Sequence, residues 1–584
     1  MKIKHFLSHI LFVLFTTVFL SPGHSQNWEW LKKAGGVRSD KGTTVVTDSD
    51  GNIYFTGYYN EEGNFGAFNT GYSYQHSKET FVCKMDPDGN FLWVTNATNY
   101  YDDRGLGLCV DPMGNVYVTG TCWGGLSWPP LSVYNPSSYT DQIYVTKIDP
   151  SGNVVWMKNA GVEAGGGWYN DDHGDDIISD SQGNIFVTGF VSNNDVIGFT
   201  ANFDAIQVPV NPNDSLAFVA KLSNDGVWQW VKTFDGIYSF RDNGIAIDDE
   251  DNVYVAGGFK GTCNFEGTVL NSTYGTLDIY VVKYANDGTF QYVTAVGDSL
   301  DARADQICYG NDGHMYVTGE FRSEVLFGTD DLNNYGSAGD RDIFVSKMTK
   351  DGQWVWASKA GSKSGGDRGV GICANDQGNV FVCGQFRGDA KFGNLQISAG
   401  TDSTQLYVAM INSAGEWQWV LQGGGQLNDR ATSVAVDTAC NVYVTGFYRF
   451  AMTADTLSLT AYGGLDIFIA KIADACNGQG PPPPVDNPPG DDVFNFQPTN
   501  VFTPNGDGIN DLLVFCEGCD IKSHVAILNR WGNVVFESNN IATPWNGNNI
   551  SGQPVTDGTY FYTIDVEFQT GEKKQFNGYI TLSR

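Results

Sequence analysis

Histidine is scarce in this chain. There are 7 in 584 residues, and His5, His9 and His24 stand at the extreme N-terminus. His76, His173, His314 and His524 are spread far apart, with no G-x-S-x-G, H-E-x-x-H or phosphate-binding loop beside them. This removes the common nucleophile–base and zinc-hydrolase arrangements. Basic residues are few as well: 34 Lys and Arg face 66 Asp and Glu, a formal net charge of -32. Such a balance argues against nucleic acid as a partner, and against broad contact with anionic membrane. After Leu20 no apolar run is long enough to span a bilayer. One catalytic arrangement survives these absences. The carboxylate pair of a glycosidase follows no local spacing rule.

At the N-terminus, Lys2 and Lys4 precede an apolar run from Phe6 to Leu20, and the small residues Gly23 and Ser25 stand before Gln26. Residues 1–25 read as a secretory signal, so the mature chain is expected outside the cytoplasm, where disulfides are permitted and no membrane span remains. Glycine is abundant at 71 residues, aromatics make up 14% and charged residues only 17%. That mixture suits an all-β protein with glycine turns and aromatic packing.

Internal repetition is the strongest signal. The segment Gly51-Asn-Ile-Tyr-Phe-Thr-Gly57 returns around Asn115, Asn184, Asn252, His314, Asn379 and Asn441, at spacings of 63, 69, 68, 62, 65 and 62. A second strand such as Asp342-Ile-Phe-Val-Ser-Lys347 follows each time, with Lys84, Lys147, Lys221, Lys283, Lys347, Met410 and Lys471 in one slot. An Asp-Gly type turn and an aromatic strand close the unit at Trp93, Trp156, Trp230, Tyr292, Trp356 and Trp419. Four short strands with hairpin turns, recurring in this way, predict a seven-bladed β-propeller over residues 26–477. The seventh repeat lacks its aromatic strand. Asn27-Trp28-Glu29-Trp30 supplies one at the other end of the chain, with Trp30 placed 63 residues before Trp93. The N-terminal strand is therefore expected to complete the last blade and close the ring.

Most cysteines fit the repeat as small core fillers: Cys109, Cys308 and Cys373 share one slot, and Cys83 shares another with Ala and Thr. Cys440 and Cys476 differ, because they fall at two turns of the last repeat on one rim, where a disulfide would pin the closing blade.

The strands Gly114-Asn-Val-Tyr-Val-Thr-Gly120 and Asp342-Ile-Phe-Val-Ser-Lys347 resemble SBBP-type propeller repeats. A Pro-rich stretch at 478–492 reads as a stiff linker. Beyond it, several segments occur in order: Asn500-Val-Phe-Thr-Pro-Asn-Gly-Asp-Gly-Ile-Asn-Asp511, Asn529-Arg-Trp-Gly-Asn-Val-Val-Phe536, Trp545-Asn-Gly547, Asp557-Gly-Thr-Tyr-Phe-Tyr562 and Gly578-Tyr-Ile-Thr-Leu582. Residues 493–584 thus resemble the type B (gliding-motility-associated) C-terminal sorting domain of type IX secretion substrates. The resemblance implies a small Ig-like β-sandwich, the type IX machinery as a partner, a source in the Bacteroidota, and release or attachment at the cell surface.

The foremost candidate site is a ring. Ten residues before each Gly slot stands a basic residue: Lys41, Arg104, His173, Arg241, Arg303, Arg368 and Arg430. An acid precedes five of them, namely Asp40, Asp103, Asp172, Asp367 and Asp429. Two readings compete: a mouth that binds a carboxylated or sulfated sugar, or a structural ring of ion pairs in which each basic residue bonds the Asp of its own or a neighbouring blade. A second candidate is calcium held by Asn505, Asp507, Asn510 and Asp511, where oxygen side chains alternate around glycines but no closing Glu follows. No other cofactor is indicated. Asp48-Ser-Asp50 and Asp86-Pro-Asp88 look similar but occupy hairpin turns. Asp171-Asp-His-Gly-Asp-Asp176 reads as a solvated acidic turn, with a metal site as the alternative, and Cys516-Glu-Gly-Cys519 lacks the second pair that zinc needs and reads as a local disulfide or two thiols.

The expected function is a non-catalytic surface module that binds glycan, matrix or protein, with specificity from the loops at 121–140 and 190–214 and stacking by Trp123, Trp128 and Tyr134. The alternatives are a polysaccharide-active enzyme and a structural component of a gliding or biofilm surface.

Overall fold

The computed structural model describes residues 26–73, 76–134, 140–162, 171–193, 198–234, 243–297, 299–337, 339–400 and 403–476, then 501–502, 504, 512–513, 515, 522–529, 533–567 and 573–582. The signal segment, the Pro-rich linker, Arg241, the 505–511 cage and Cys516 and Cys519 lie outside them. The chain divides into two compact units, Met1–Pro484 and Val485–Arg584.

In the first unit the chain folds into four-stranded antiparallel meanders. The first runs Lys41–Thr47, Ile53–Asn60, Lys78–Met85 and Phe91–Asn96, in spatial order. Six more follow, with inner strands Asp103–Val110, His173–Ser179, Gly244–Ile247, Ala302–Gly310, Arg368–Ala374 and Arg430–Val436. Each inner strand packs on the next, and the seventh returns to the first. Thr43 Oγ1 donates to Gly105 O at 2.9 Å, and Thr432 Oγ1 donates to Gly42 O at 2.9 Å. The result is a closed β-propeller.

The turn between the first two strands shows why the repeat folds as it does. Asp48 accepts from Asp50 N, Asn52 N, Asn52 Nδ2 and Tyr54 Oη at 2.8 to 3.0 Å. Asp111, Asp248 and Asp437 repeat this cage with Asn115/Tyr117, Asn252/Tyr254 and Asn441/Tyr443. The following Gly slot is left-handed, as at Gly51 (φ 79), so a glycine is the cheap residue there. The Lys slot closes the cage: Lys221 lies 3.4 Å from Asp180, Lys283 lies 3.4 Å from Asp248 and Lys347 lies 2.8 Å from Asp312. The aromatic strand then ties each blade to its neighbour. Trp93, Trp156, Trp230, Trp356 and Trp419 each donate an indole N–H to a backbone carbonyl in the next Asp-Gly type turn, at 2.9 to 3.2 Å.

The last blade is closed by the N-terminal strand. Trp28–Ala34 pairs antiparallel with Leu457–Ile472, and Lys471 bonds Glu29 at 2.9 Å. Cys440 and Cys476 are disulfide-bonded in this blade, with Cα atoms 5.9 Å apart. Cys440 occupies the left-handed slot (φ 64) that glycine fills in most other blades.

The long loops after the second strands are not free. Most carry a short hairpin, such as Glu324–Phe327 with Asp330–Asn333, and several of these clip onto the end of the preceding blade's outer strand. Phe199–Phe203 pairs with Val154–Val162, and Asp389–Phe392 pairs with Trp354–Ser362. A loop that pairs its backbone with the preceding blade satisfies its polar groups there.

The second unit contains, among its described residues, a five-stranded sheet ordered Val501–Phe502, Lys573–Leu582, Gly558–Glu567, Lys522–Leu528 and Val534–Ser538. Val525, Ile527, Trp545, Tyr560, Ile564 and Ile580 form its core.

Closing a loop across 36 residues is worth about 3–4 kcal/mol by chain entropy. Replacing Cys440 and Cys476 together by Ser is expected to lower the unfolding free energy of the propeller by about that amount. Urea titration followed by tryptophan emission measures it. An unchanged midpoint would mean that the blade closes on strand pairing alone.

Candidate functional site at the axial channel

The basic residues of the ring stand where the inner strands begin: Lys41, His173, Arg368 and Arg430 are first in their strands, and Arg104 and Arg303 are second. They share one mouth of the channel. Two residues further on, every inner strand whose pairing is described at this point has a β-bulge, marked by register shifts at Gly42/Thr44, Gly105/Gly107, Gly174/Asp176, Ala304/Gln306, Gly369/Gly371 and Ala431/Ser433. The bulge re-aims the residue inside it. Thr43, Leu106, Asp175, Asp305, Val370 and Thr432 accordingly line a cavity of about 210 Å³, joined by Asn243 in the fourth blade. This second ring varies from blade to blade. Repeat comparison missed it because it looks for sameness. The signal was present as the residue two places after each basic one.

The acids that precede the basic residues do not pair with them. Successive side chains of a strand leave on opposite faces. Asp172 turns into its blade and accepts from Val162 N at 2.6 Å and Ser192 N at 2.8 Å. Asp40 takes Gly36 N and Asn60 N, Asp367 takes Ser362 N and Arg387 N, and Asp429 takes Gly425 N and Arg449 N, at 2.5 to 2.8 Å. Asp103 accepts from Asn99 Nδ2 at 3.2 Å. These carboxylates staple the incoming loop to the second strand. Each buried N–H left without its acceptor would cost about 1–3 kcal/mol.

The partners of the basic ring come from the residues before the inner strand, from the bulge and from the second strand, and they are unevenly shared. His173 is buried, bonds Asp171 at 2.5 Å, stands 3.6 Å from Asp175 and meets Phe190 edge-on at 4.3 Å. The 171–176 segment is therefore not a solvated turn, since Asp172 and His173 are both buried. Arg368 grips Asp305 with Nε at 2.6 Å and Nη2 at 2.8 Å. Arg303 lies 3.3 Å from Asp305 and 3.5 Å from Glu320, and Arg341 lies 3.3 Å from Glu320. Arg430 has no carboxylate partner among the described residues and stacks its guanidinium 5.9 Å from the Phe447 ring, with Lys41 Nζ 4.6 Å from the same ring. Partial burial and the like charges of Arg368 and Arg341 all work against the Arg430 cation. On the far side, Lys78 and Arg104 both pair with the single carboxylate of Asp102. Arg341 and Lys78 were not legible as site residues, because they stand at the entry to the third strand and only that strand's other end carries the repeated Lys.

The turn carboxylates Asp48 and Asp86 are occupied by protein N–H and O–H donors. Among the described residues no cluster of His, Cys, Asp and Glu is placed to hold a metal. Trp128 is fully buried, with its indole N–H on Thr95 Oγ1 at 2.8 Å, so it cannot stack on a ligand. The Tyr134 side chain lies outside the described residues.

Residues 496–582 match the CHU_C Type IX secretion signal domain. The chain is thus marked for export by the type IX route and is secreted or held at the cell surface. An uncharacterized WD repeat-containing protein of Acanthamoeba polyphaga mimivirus is 21% identical over 63% of this chain, which spans 32% of that protein's length. A solved puromycin hydrolase aligns over 84% of this chain and 58% of its own, at 10% identity and a TM-score of 0.38. PorZ, a surface component of the type-IX secretion system of Porphyromonas gingivalis, aligns over 95% of this chain and 100% of its own, at 10% identity and a TM-score of 0.16. Neither structural likeness is close enough to carry function.

The stapling carboxyls set a pH dependence. Burial, only partly offset by their hydrogen bonds, raises Asp40 and Asp172 to about 7 and Asp367 and Asp429 to about 6. Each holds a proton that unfolding releases, so its contribution is complete below the unfolded value of 3.8 and is lost as pH climbs through 6 to 7. At His173 burial opposes the charge, but Asp171 and Asp175 outweigh it and raise the imidazole to about 9. That contribution is present below 6.5 and is lost through 9. At the turn aspartates Asp180, Asp248 and Asp312 burial is outweighed by hydrogen bonds, which lower their titration, so their contribution disappears only as pH falls below 3.8. The melting temperature is expected to peak between about pH 4 and 6 and to fall steadily to pH 9. Calorimetry across that range decides it, and a rise from pH 5 to 8 would refute the assignment.

Proposed function

We propose that this is a non-catalytic surface propeller that binds an acidic ligand, a carboxylated or sulfated glycan, at the basic mouth. The repeats are read as SBBP-type on the same footing, from the recurring Gly-Asn-Val-Tyr-Val-Thr-Gly strand. One observation carries the proposal. Among the described residues, Arg430 has no carboxylate partner and feels the like charges of Arg368 and Arg341, while Arg303 and Arg341 both draw on the one carboxylate of Glu320. A purely structural ring would balance its charges, since unpaired like charges in proximity are unfavourable. In a chain of net charge -32, a local cationic surplus is a feature retained against the average. Guanidiniums suit carboxylate and sulfate oxygens, which they can grip two at a time.

The test uses the purified full chain on immobilised polygalacturonate, sulfated dextran and neutral dextran. Binding to the acidic polymers alone is expected, weakening as ionic strength rises. The double variant Arg341→Ala/Arg430→Ala, with unchanged circular dichroism, is expected to lose about tenfold or more. Equal binding to neutral dextran, or no effect of the double variant, would overturn the proposal.

A further inference from the structure

The same mouth departs from its repeat at one more place. The residue two beyond each second-strand partner of the basic ring is Asn60, Ser192, Arg322, Arg387 and Arg449 in five blades. In the second blade it is Trp123, opposite Asp141. Tyr101 lies nearly parallel to Trp123, with centroids 5.1 Å and planes 23° apart. Tyr100 meets Tyr101 edge-on at 5.1 Å and is 48% exposed. Together the three rings make an aromatic ledge on the rim. The loop that carries it is pinned by Asn99, whose Nδ2 donates to Trp123 O at 2.7 Å and to Asp103 at 3.2 Å, while Asn99 Oδ1 accepts Tyr100 N at 2.7 Å. Such a ledge is ordered before any ligand arrives, which lowers the entropy lost on binding.

Beside the ledge stand Lys78 and Arg104, two cations sharing the one carboxylate of Asp102. Both lean over the Tyr58 ring, at 5.9 and 6.0 Å. The Nε of Arg104 is buried without a hydrogen-bond partner. The juxtaposition of the Tyr101–Trp123 stack, the exposed Tyr100 ring and two cations, with Asp141 also close to Arg104, matches a particular chemistry. A pyranose ring has an apolar face of C–H groups, and an acidic pyranose carries its carboxylate or sulfate at the ring's edge. An acidic peptide would use the cations but has no flat ring for the ledge.

We infer that Tyr100, Tyr101 and Trp123 form a sugar-stacking subsite, with Lys78 and Arg104 receiving the acid group of the same residue. This rests on the reading of the mouth as anion-binding and deepens it: the ligand is an acidic saccharide rather than an acidic protein. The full chain is titrated with an oligogalacturonate and, separately, with poly-glutamate of similar charge. Tyr100→Ala, which removes an exposed side chain, and Trp123→Ala are each expected to weaken oligogalacturonate binding about tenfold, while Trp123→Phe keeps most of it and poly-glutamate binding is unmoved. If Tyr100→Ala binds the oligosaccharide normally while Arg341→Ala/Arg430→Ala does not, the ledge is no subsite and the anion-binding mouth stands without it. If poly-glutamate binds as tightly and loses as much in the ledge variants, the ligand class is wrong. If neither acidic polymer binds the unaltered chain, the anion-binding reading fails and takes the ledge with it.

Discussion

At the entrance to its inner strand, a blade of this propeller commits a buried aspartate to its own backbone. That choice constrains the rest. Because side chains alternate across a strand, an Asp that points into the blade obliges its successor to point toward the channel. The successor is basic, and the bulge that follows turns the next residue but one inward as well. Scaffold and site are thus consecutive residues of one segment: Asp172 staples, His173 lines the mouth and Asp175 lines the channel. Neither role can be altered without register consequences for the other.

What repeats here is structural. The Asp–Asn–Tyr turn cages, the Lys over the turn and the Trp indole on the neighbouring turn recur because every blade interface poses the same problem. The departures are where ligand chemistry can reside. The bulge positions change from Thr to Leu to Asp to Val, Lys78 and Arg341 bring cations to the entry of the third strand within the described rim, and an aromatic enters the Trp123 slot once. A closed ring of near-identical units offers a symmetric mouth. These few substitutions make it asymmetric, with cations gathered at two arcs and the buried His173–Asp175 pair between.

Much of the architecture was legible. The Gly slots, Asp-Gly turns and Trp strands fix four strands per unit, and the lone pair Trp28 and Trp30 announces a strand without a unit. The basic ring was legible as a register. Its partners were not: reading Asp40 beside Lys41 as an ion pair takes sequence adjacency for spatial adjacency, which a strand forbids. The bulge was invisible because no residue type marks it; Gly107, Asp176, Gln306 and Gly371 all follow it. Trp128 was misread for a related reason. It lies on a loop in the sequence, yet that loop is a hairpin packed on the preceding blade, where Thr95 receives its N–H.

The acid excess of the chain shapes how such a mouth can work. An acidic ligand approaching a molecule of net charge -32 is repelled at long range, and salt relieves that repulsion within a Debye length of about 8–10 Å. Salt also weakens the attraction at the rim, but direct guanidinium–oxyanion contacts are screened less than long-range fields are. Discrimination therefore falls to groups in contact. Long-range steering has the wrong sign, so affinity has to come from geometry held ready: Arg368 fixed in its fork on Asp305, Arg430 resting on Phe447 with no acid of its own, and the rings at Tyr101 and Trp123 already stacked. The stapled aspartates give that readiness its rigidity, because they fix the strand starts from which the channel-facing side chains project.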